Sequence, residues 1–140
     1  MAKDTFYPQV KRALIKDGWK ITDDPLKLEV GGVKLEVDLG AERVLEVVLA
    51  AERASEKIAV EVKSFISNSP INELHGALGQ FIAYRTALSE LEPDRKLYLA
   101  VPIATFSDFF QLPFPQRLIR ENQLILMVYD PILQEVVQWL

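Results

Sequence analysis

Residues 58–65 alternate without interruption: Ile58, Val60 and Val62 point to one side of an extended chain, and Ala59, Glu61 and Lys63 to the other. This predicts a strand over Ile58–Phe65 on which an acid and an amine share one face, with Val60 and Val62 packed behind them. A loop, Ser67-Asn68-Ser69-Pro70, follows, with Ser69 placed to cap a helix and Pro70 in its first turn. Ile71–Leu91 then reads as the longest helix: Ile71, Leu74, Leu78, Phe81, Arg85 and Leu88 recur at helical spacing, and Pro93 ends the run. Gly76 and Gly79 lie inside it. A helical glycine costs about 1 kcal/mol relative to alanine, so the pair predicts a close approach to the sheet or to a ligand.

The remaining elements are set by shorter signals. Asp4–Lys16 reads as a helix with Phe6, Val10, Ala13 and Leu14 as its apolar stripe, Asp4 or Thr5 as cap and Gly18 at the exit; Pro8, tolerable only in the first turn, moves the start towards Tyr7. Trp19–Thr22 is a short extended piece. Leu26–Val30 and Val33–Leu39 are strands joined by the hairpin signal Gly31-Gly32. Ala41–Arg53 carries two signals: Leu45, Val47, Val48 and Leu49 favour a strand, Ala50, Ala51 and Glu52 a helix. The strand is preferred, paired with Ile58–Phe65 through a turn at Ala54-Ser55-Glu56. Lys96–Val101 is an apolar strand ending at Pro102, Thr105–Leu112 an aromatic turn or short helix, Pro115–Asn122 a short helix, Leu124–Tyr129 a strand, and Glu135–Trp139 closes a hairpin through Asp130-Pro131. The order is helix, three or four strands, long helix, strand, short helix, two strands. The fold class is α/β, a mixed sheet flanked by helices.

The composition narrows the chemistry. A chain of 140 residues, 49% hydrophobic and 26% charged, has the size of one domain, 1–140, and can fill a core. Cysteine is absent and His75 is the single histidine, which excludes disulfides, thiol nucleophiles, thiolate metal sites and His-cluster zinc sites. A net charge of −4 and a pI near 5.1 exclude a bulk electrostatic coat for DNA while leaving room for a small basic site in an acidic shell. No apolar run approaches the roughly 18 residues a membrane span needs. Met-Ala-Lys-Asp has no signal-peptide character. A cytoplasmic protein that does not enter a membrane is expected.

Three features converge on one chemistry. Asp38 ends an alternating strand, Glu61-Val62-Lys63 lies in the most regular strand, and Gln80 and Tyr84 stand one turn apart on the long helix. Phosphodiester hydrolysis needs a hard cation held by one or two carboxylates and other oxygens. Asp38, Glu61 and the Val62 carbonyl could hold magnesium or manganese. Lys63 could orient or deprotonate a water or stabilise developing charge, and Gln80 and Tyr84 could hold a nucleic-acid backbone or buttress Lys63.

An Asp, a variable gap and then Glu-x-Lys on the next strand resembles the PD-(D/E)xK nuclease superfamily, and Gln80–Tyr84 resembles the Gln-x-x-x-Tyr element of its RecB-type branch. A resemblance over nearly the whole chain is carried by Gly31-Gly32-Val33, Asp38–Arg43, Lys57–Phe65, Leu78–Phe81, Tyr98–Pro102 and Val128–Pro131. These segments resemble the XisH family, cyanobacterial controlling factors for excision of the fdxN DNA element. The resemblance implies a restriction-endonuclease-like sheet and a single nuclease-like domain over 1–140. It implies Asp38, Glu61 and Lys63 as catalytic residues, with DNA as substrate. It also implies an XisI-like companion protein and a site-specific recombinase as partners, and a homo-oligomer. Many superfamily members carry an acid in the first helix. Here Tyr7 or Gln9 stands at that place, Asp4 being the nearest acid.

Each residue also has a plainer account. Glu61 and Lys63 could form a solvated strand face, Asp38 a strand-end turn with Glu36 as substitute ligand, Gln80 a half-exposed helix residue and Tyr84 a packing aromatic. His75 reads as a surface residue, and Glu42, Arg43, Lys11, Arg12 and Lys16 as solvated charges. Phe106, Phe109, Phe110 and Phe114 read as core or as an interface. The same scaffold could also serve as a non-catalytic accessory factor that binds DNA or a partner.

Overall fold

The computed structural model of the chain describes residues 4–47 and 52–140. Helix α1 (Tyr7–Lys16) starts at Tyr7, where Pro8 in the first turn puts it, and has no side-chain cap. Asp4 and Thr5 are therefore not its caps. Phe6 instead donates its N–H to Ser64 Oγ at 3.0 Å, which ties the segment before the helix to a distant part of the chain. Val10, Ala13 and Leu14 form the buried stripe of α1, and Gly18, at a φ of 92°, turns the chain into β1 (Lys20–Asp23).

Strands β2 (Leu26–Val30) and β3 (Val33–Val37) form a separate two-stranded hairpin. Gly31 and Gly32 close it at φ values of 56° and 82°, left-handed conformations that a tight hairpin turn requires. The expected continuous strand Val33–Leu39 is broken: the chain bends at Asp38, and β4 (Leu39–Val47) enters another sheet. β4 pairs antiparallel with β5 (Glu52–Val62) from Leu39↔Val60 to Val47↔Glu52. Ala54, Ser55 and Glu56 are thus paired strand residues and not a turn, and the connection runs through 48–51, outside the described residues, as does the helix signal at Ala50 and Ala51. Among the described residues five strands, rather than three or four, separate the first two helices.

Helix α2 (Pro70–Leu91) begins as the sequence predicts, with Ser69 Oγ accepting from the Asn72 N–H at 3.4 Å. Its buried stripe is Leu74, Ala77, Phe81, Tyr84, Ala87 and Leu88. Gly76 and Gly79 lie on its exposed side with open space where a Cβ would stand, so they do not serve a close approach to the sheet. The chain continues through β6 (Lys96–Pro102), α3 (Ile103–Ser107), a 3-10 turn (Phe109–Gln111), α4 (Pro113–Glu121), β7 (Leu126–Asp130) and β8 (Glu135–Trp139).

The main sheet has the order β1-β4-β5-β6-β7-β8, parallel between β5, β6 and β7 and antiparallel elsewhere. The parallel steps are the two that cross over through helices, α2 first and then α3 and α4. Helix α1 covers one face of this curled mixed sheet, with Val10, Leu14 and Trp19 against Ile58, Val60, Val62, Tyr98, Ala100, Met127 and Tyr129. Helix α2 and the β2–β3 hairpin cover the other, against Ala59, Leu97, Leu99, Val101, Leu126 and Val128. Burial on both faces explains why β6 reads as an unbroken apolar run. No described helix is long and apolar enough to cross a membrane.

Candidate active site

The β4–β5 register fixes where the acids meet. Leu39 lies opposite Val60, so the next pair along an antiparallel ladder is Asp38 and Glu61. Here side chains take over from the ladder. The Asp38 N–H donates to Glu61 Oε1 at 3.2 Å, and the Val62 N–H donates to Asp38 Oδ2 at 2.8 Å. Lys63 Nζ stands 3.7 Å from Glu61 Oε2. The alternation read from the sequence puts Glu61 on the α2 side with Ala59, where it is only 5% exposed. Asp38, Glu61 and Lys63 therefore converge.

Burial in this place disfavours charge. Desolvation, then the neighbouring Asp38 carboxylate, push the Glu61 carboxyl up to about 8 against the opposing pull of Lys63. Tyr84, buried on α2, is raised to about 12 by burial and then by the charges of Glu61, Asp38 and Glu36. Its hydroxyl thus feels the acids and stays a hydrogen-bond donor at ordinary pH. Gln80 lies one turn back, with its Oε1 buried and without a hydrogen-bond partner.

Asp4 is a site neighbour that the sequence reading treated only as a cap or as the nearest acid to the first helix. It does precede α1, but its carboxyl feels Lys63 and Asp38 and is raised, chiefly by burial. Its Oδ1 is buried with no hydrogen-bond partner. Ser64 and Tyr129 are also missed: Tyr129 donates its hydroxyl to the Lys63 carbonyl at 2.9 Å. In the sequence each is marked only by lying in a resembling segment, Ser64 in Lys57–Phe65 and Tyr129 in Val128–Pro131.

Other candidates are placed elsewhere. His75 is exposed on α2, and Glu36 is exposed on β3 with its charge reaching Tyr84. The α1 cations are not simply solvated: Lys11 pairs with Asp24 at 2.7 Å, Arg12 donates to Gln134 Oε1 at 2.7 Å and Lys16 to the Leu133 carbonyl at 2.8 Å. Arg43 pairs with Glu56 at 3.0 Å and lies over the Trp19 ring. Of the phenylalanines, Phe110 is core, edge-on to Phe65 and Phe109, while Phe114 is exposed.

Among the described residues no three His, Cys, Asp or Glu side chains gather as a ligand set. Two carboxylates are nevertheless what magnesium or manganese usually takes from a protein, with other oxygens and water completing the shell. The donor set fits. Asp38 and Glu61 offer hard oxygens, the Val62 carbonyl lies between them in sequence and Lys63, and the buried, unpaired Oδ1 of Asp4 and Oε1 of Gln80 are acceptors lacking a donor. The Glu61 carboxyl, raised by burial and then by Asp38, is also a group whose charged form a cation would favour.

Comparison with known proteins finds similarity over nearly the whole chain. A family model described as XisH protein matches residues 1–137. The crystal structure of an XisH family protein from Nostoc punctiforme is 51% identical, with a TM-score of 0.86, covering 98% of this chain and 99% of that one. The crystal structure of an fdxN element excision controlling factor protein from Anabaena variabilis is 53% identical, with a TM-score of 0.84 and 96% of each chain covered. No curated protein matches. With matches of this length and identity, the chain belongs to the XisH family.

Proposed function

We propose that this protein is a metal-dependent, endonuclease-like factor acting on DNA in the controlled excision of a DNA element. The observation that carries the reading is the Asp38–Glu61 pair, each bonded to the other's strand, with Lys63 at 3.7 Å from Glu61. The name of the Anabaena relative, an fdxN element excision controlling factor, supplies the process. In this reading residues 1–140 form one restriction-endonuclease-like, PD-(D/E)xK-type domain of a cytoplasmic homo-oligomer. It works with an XisI-like companion and a site-specific recombinase.

Asp38, Glu61 and the Val62 carbonyl would hold magnesium or manganese. When bound, such an ion neutralises phosphate charge and acidifies a water. Glu61, raised chiefly by burial and then by Asp38, would hold such an ion as its carboxylate. Lys63 orients the attacking water and stabilises negative charge growing on the phosphate. Tyr84 donates its hydroxyl, kept protonated by burial, and Gln80 its amide to oxygens of the nucleic-acid backbone.

Nicking of supercoiled DNA with magnesium or manganese tests this. Wild type should nick, and Glu61→Ala and Lys63→Ala should each lose about a hundredfold or more. Equal nicking by all three identifies a contaminant and ends the proposal. A second reading, a non-catalytic accessory factor, is favoured by one observation. The net charge is −4, and the three α1 cations are engaged within the chain rather than offered to phosphates. It predicts no metal-dependent cleavage and complex formation that survives Glu61→Ala.

A further inference from the structure

Lys63 lies one residue beyond β5, where the ladder ends, yet its main chain is held on both sides. Its N–H donates to the Ala100 carbonyl of β6 at 3.0 Å. Its carbonyl accepts from the Tyr129 hydroxyl at 2.9 Å, a bond that reaches past β6 from β7. The next residue, Ser64, is 3% exposed, and its Oγ accepts from the Phe6 N–H at 3.0 Å. The Phe6 ring stands edge-on to Tyr129 with centroids 6.2 Å apart. Tyr129, Lys63, Ser64 and Phe6 thus form a closed ring of contacts around the root of the lysine. Phe65 then turns the chain out of the sheet at a φ of 52°, with its ring fixed against Phe110.

The hydroxyls are what packing does not account for. Tyr129 is completely buried, and a phenylalanine would fill the same space without having to bury an oxygen. Burial also holds the phenol far above its ordinary titration range, so it remains a donor. A lysine side chain is a point charge on a flexible stem. Its ammonium is reproducibly placed only if the main chain beneath it is fixed, and a misplacement of about 1 Å can cost on the order of a hundredfold in rate.

We propose that Tyr129 and Ser64 are positioning residues for Lys63, fixing the main chain from which its ammonium reaches Glu61. The catalytic meaning of this rests on the nuclease reading above, whereas the positioning itself does not.

Tyr129→Phe deletes one oxygen and keeps the ring; Ser64→Ala deletes the other anchor. Two readouts are taken on each intact protein. The first is the Lys63 side-chain 13Cε–15Nζ resonance, assigned by its disappearance in Lys63→Arg. The second is DNA cleavage with manganese, resolved into kcat and KM. Either variant should shift the Lys63 resonance towards those of the exposed lysines and lower kcat about tenfold to a hundredfold, with KM and manganese affinity unchanged. A folded variant that melts earlier but leaves the Lys63 resonance in place has lost only packing, and overturns the proposal. So does an unchanged kcat when wild type cleaves. If Tyr129→Phe does not fold, Ser64→Ala decides by the same measurements. If wild type does not cleave, the nuclease reading falls, and the resonance alone upholds or overturns the positioning role.

Discussion

Glu61→Gln should make the metal-free protein more stable at mildly alkaline pH, although it removes a proposed metal ligand. The Glu61 carboxyl is raised from 4.5 to about 8, first by burial and then by Asp38. Between those values the folded chain holds one proton more at this position than the unfolded chain. The stability contributed by protonated Glu61 is therefore complete below pH 4.5 and is lost as pH rises through about 8, at about 1.4 kcal/mol per pH unit. Over two pH units inside that window the loss is roughly 3 kcal/mol. For a chain of this size that is a fall in Tm of about 10 °C. The amide of Glu61→Gln has nearly the shape of the protonated acid. It can accept the Asp38 N–H bond, now 3.2 Å, and donate to the Asp38 carboxylate, but it does not titrate. The assay is thermal or urea unfolding in chelator at fixed ionic strength, read as wild type minus variant so that every other titrating group cancels. The difference should be small near pH 5 and grow against the wild type towards pH 8. Parallel pH profiles would show that Glu61 is ionised in the fold throughout, and the account of a strained acid pair would be wrong.

Two further outcomes follow from the same geometry. Manganese titrated calorimetrically, in buffers of different ionisation enthalpy, should release close to one proton below about pH 8 and bind more tightly as pH rises to that point, because the ion replaces the Glu61 proton; binding without proton release would place the ion elsewhere. Gly40→Ala should cost about 1–3 kcal/mol in urea unfolding, since a Cβ there would stand 3.0 Å from Asp23 Cβ, which cannot swing aside, as well as 2.8 Å from Asp23 Oδ2 and 3.0 Å from Arg95 Nη1, and an unchanged midpoint would refute that crowding.

The regular strand and the long helix were legible because both have one period and one buried face. Ile58, Val60 and Val62 do enter the α1-side core together, and Ser69 does cap α2. The break at Asp38 was not legible. Val33, Leu35, Val37 and Leu39 keep perfect alternation, but Val37 is buried in the α2-side core and Leu39 in the α1-side core. A change of sheet between two buried residues leaves no mark on the hydrophobic period. The turn was misplaced for a related reason: Ala54-Ser55-Glu56 has turn-forming composition, and only the partner strand reveals it as ladder. The long gap between Asp38 and Glu61 is simply the length of a hairpin whose arms are equal, and any such hairpin returns its two ends to each other. Gly76 and Gly79 carried a signal of their own, but it does not lead to the sheet.

The site and the end of the sheet are one problem in hydrogen bonding. Strands that stop inside a protein leave main-chain donors and acceptors without rungs, and these must find partners. At this end of β5 the partners are side chains: Asp38 takes the Val62 N–H, Glu61 takes the Asp38 N–H, and Tyr129 serves the Lys63 carbonyl. Each acid is thereby fixed by the backbone it completes. That arrangement leaves Glu61 beside Asp38 in a place too dry for two charges. Lys63, 3.7 Å from Glu61, offsets part of this, and in the proposed reading a bound divalent cation would offset the rest. An apolar pair at these positions would terminate the sheet with less conflict, so the conflict itself is the reason to look here for chemistry rather than for stability.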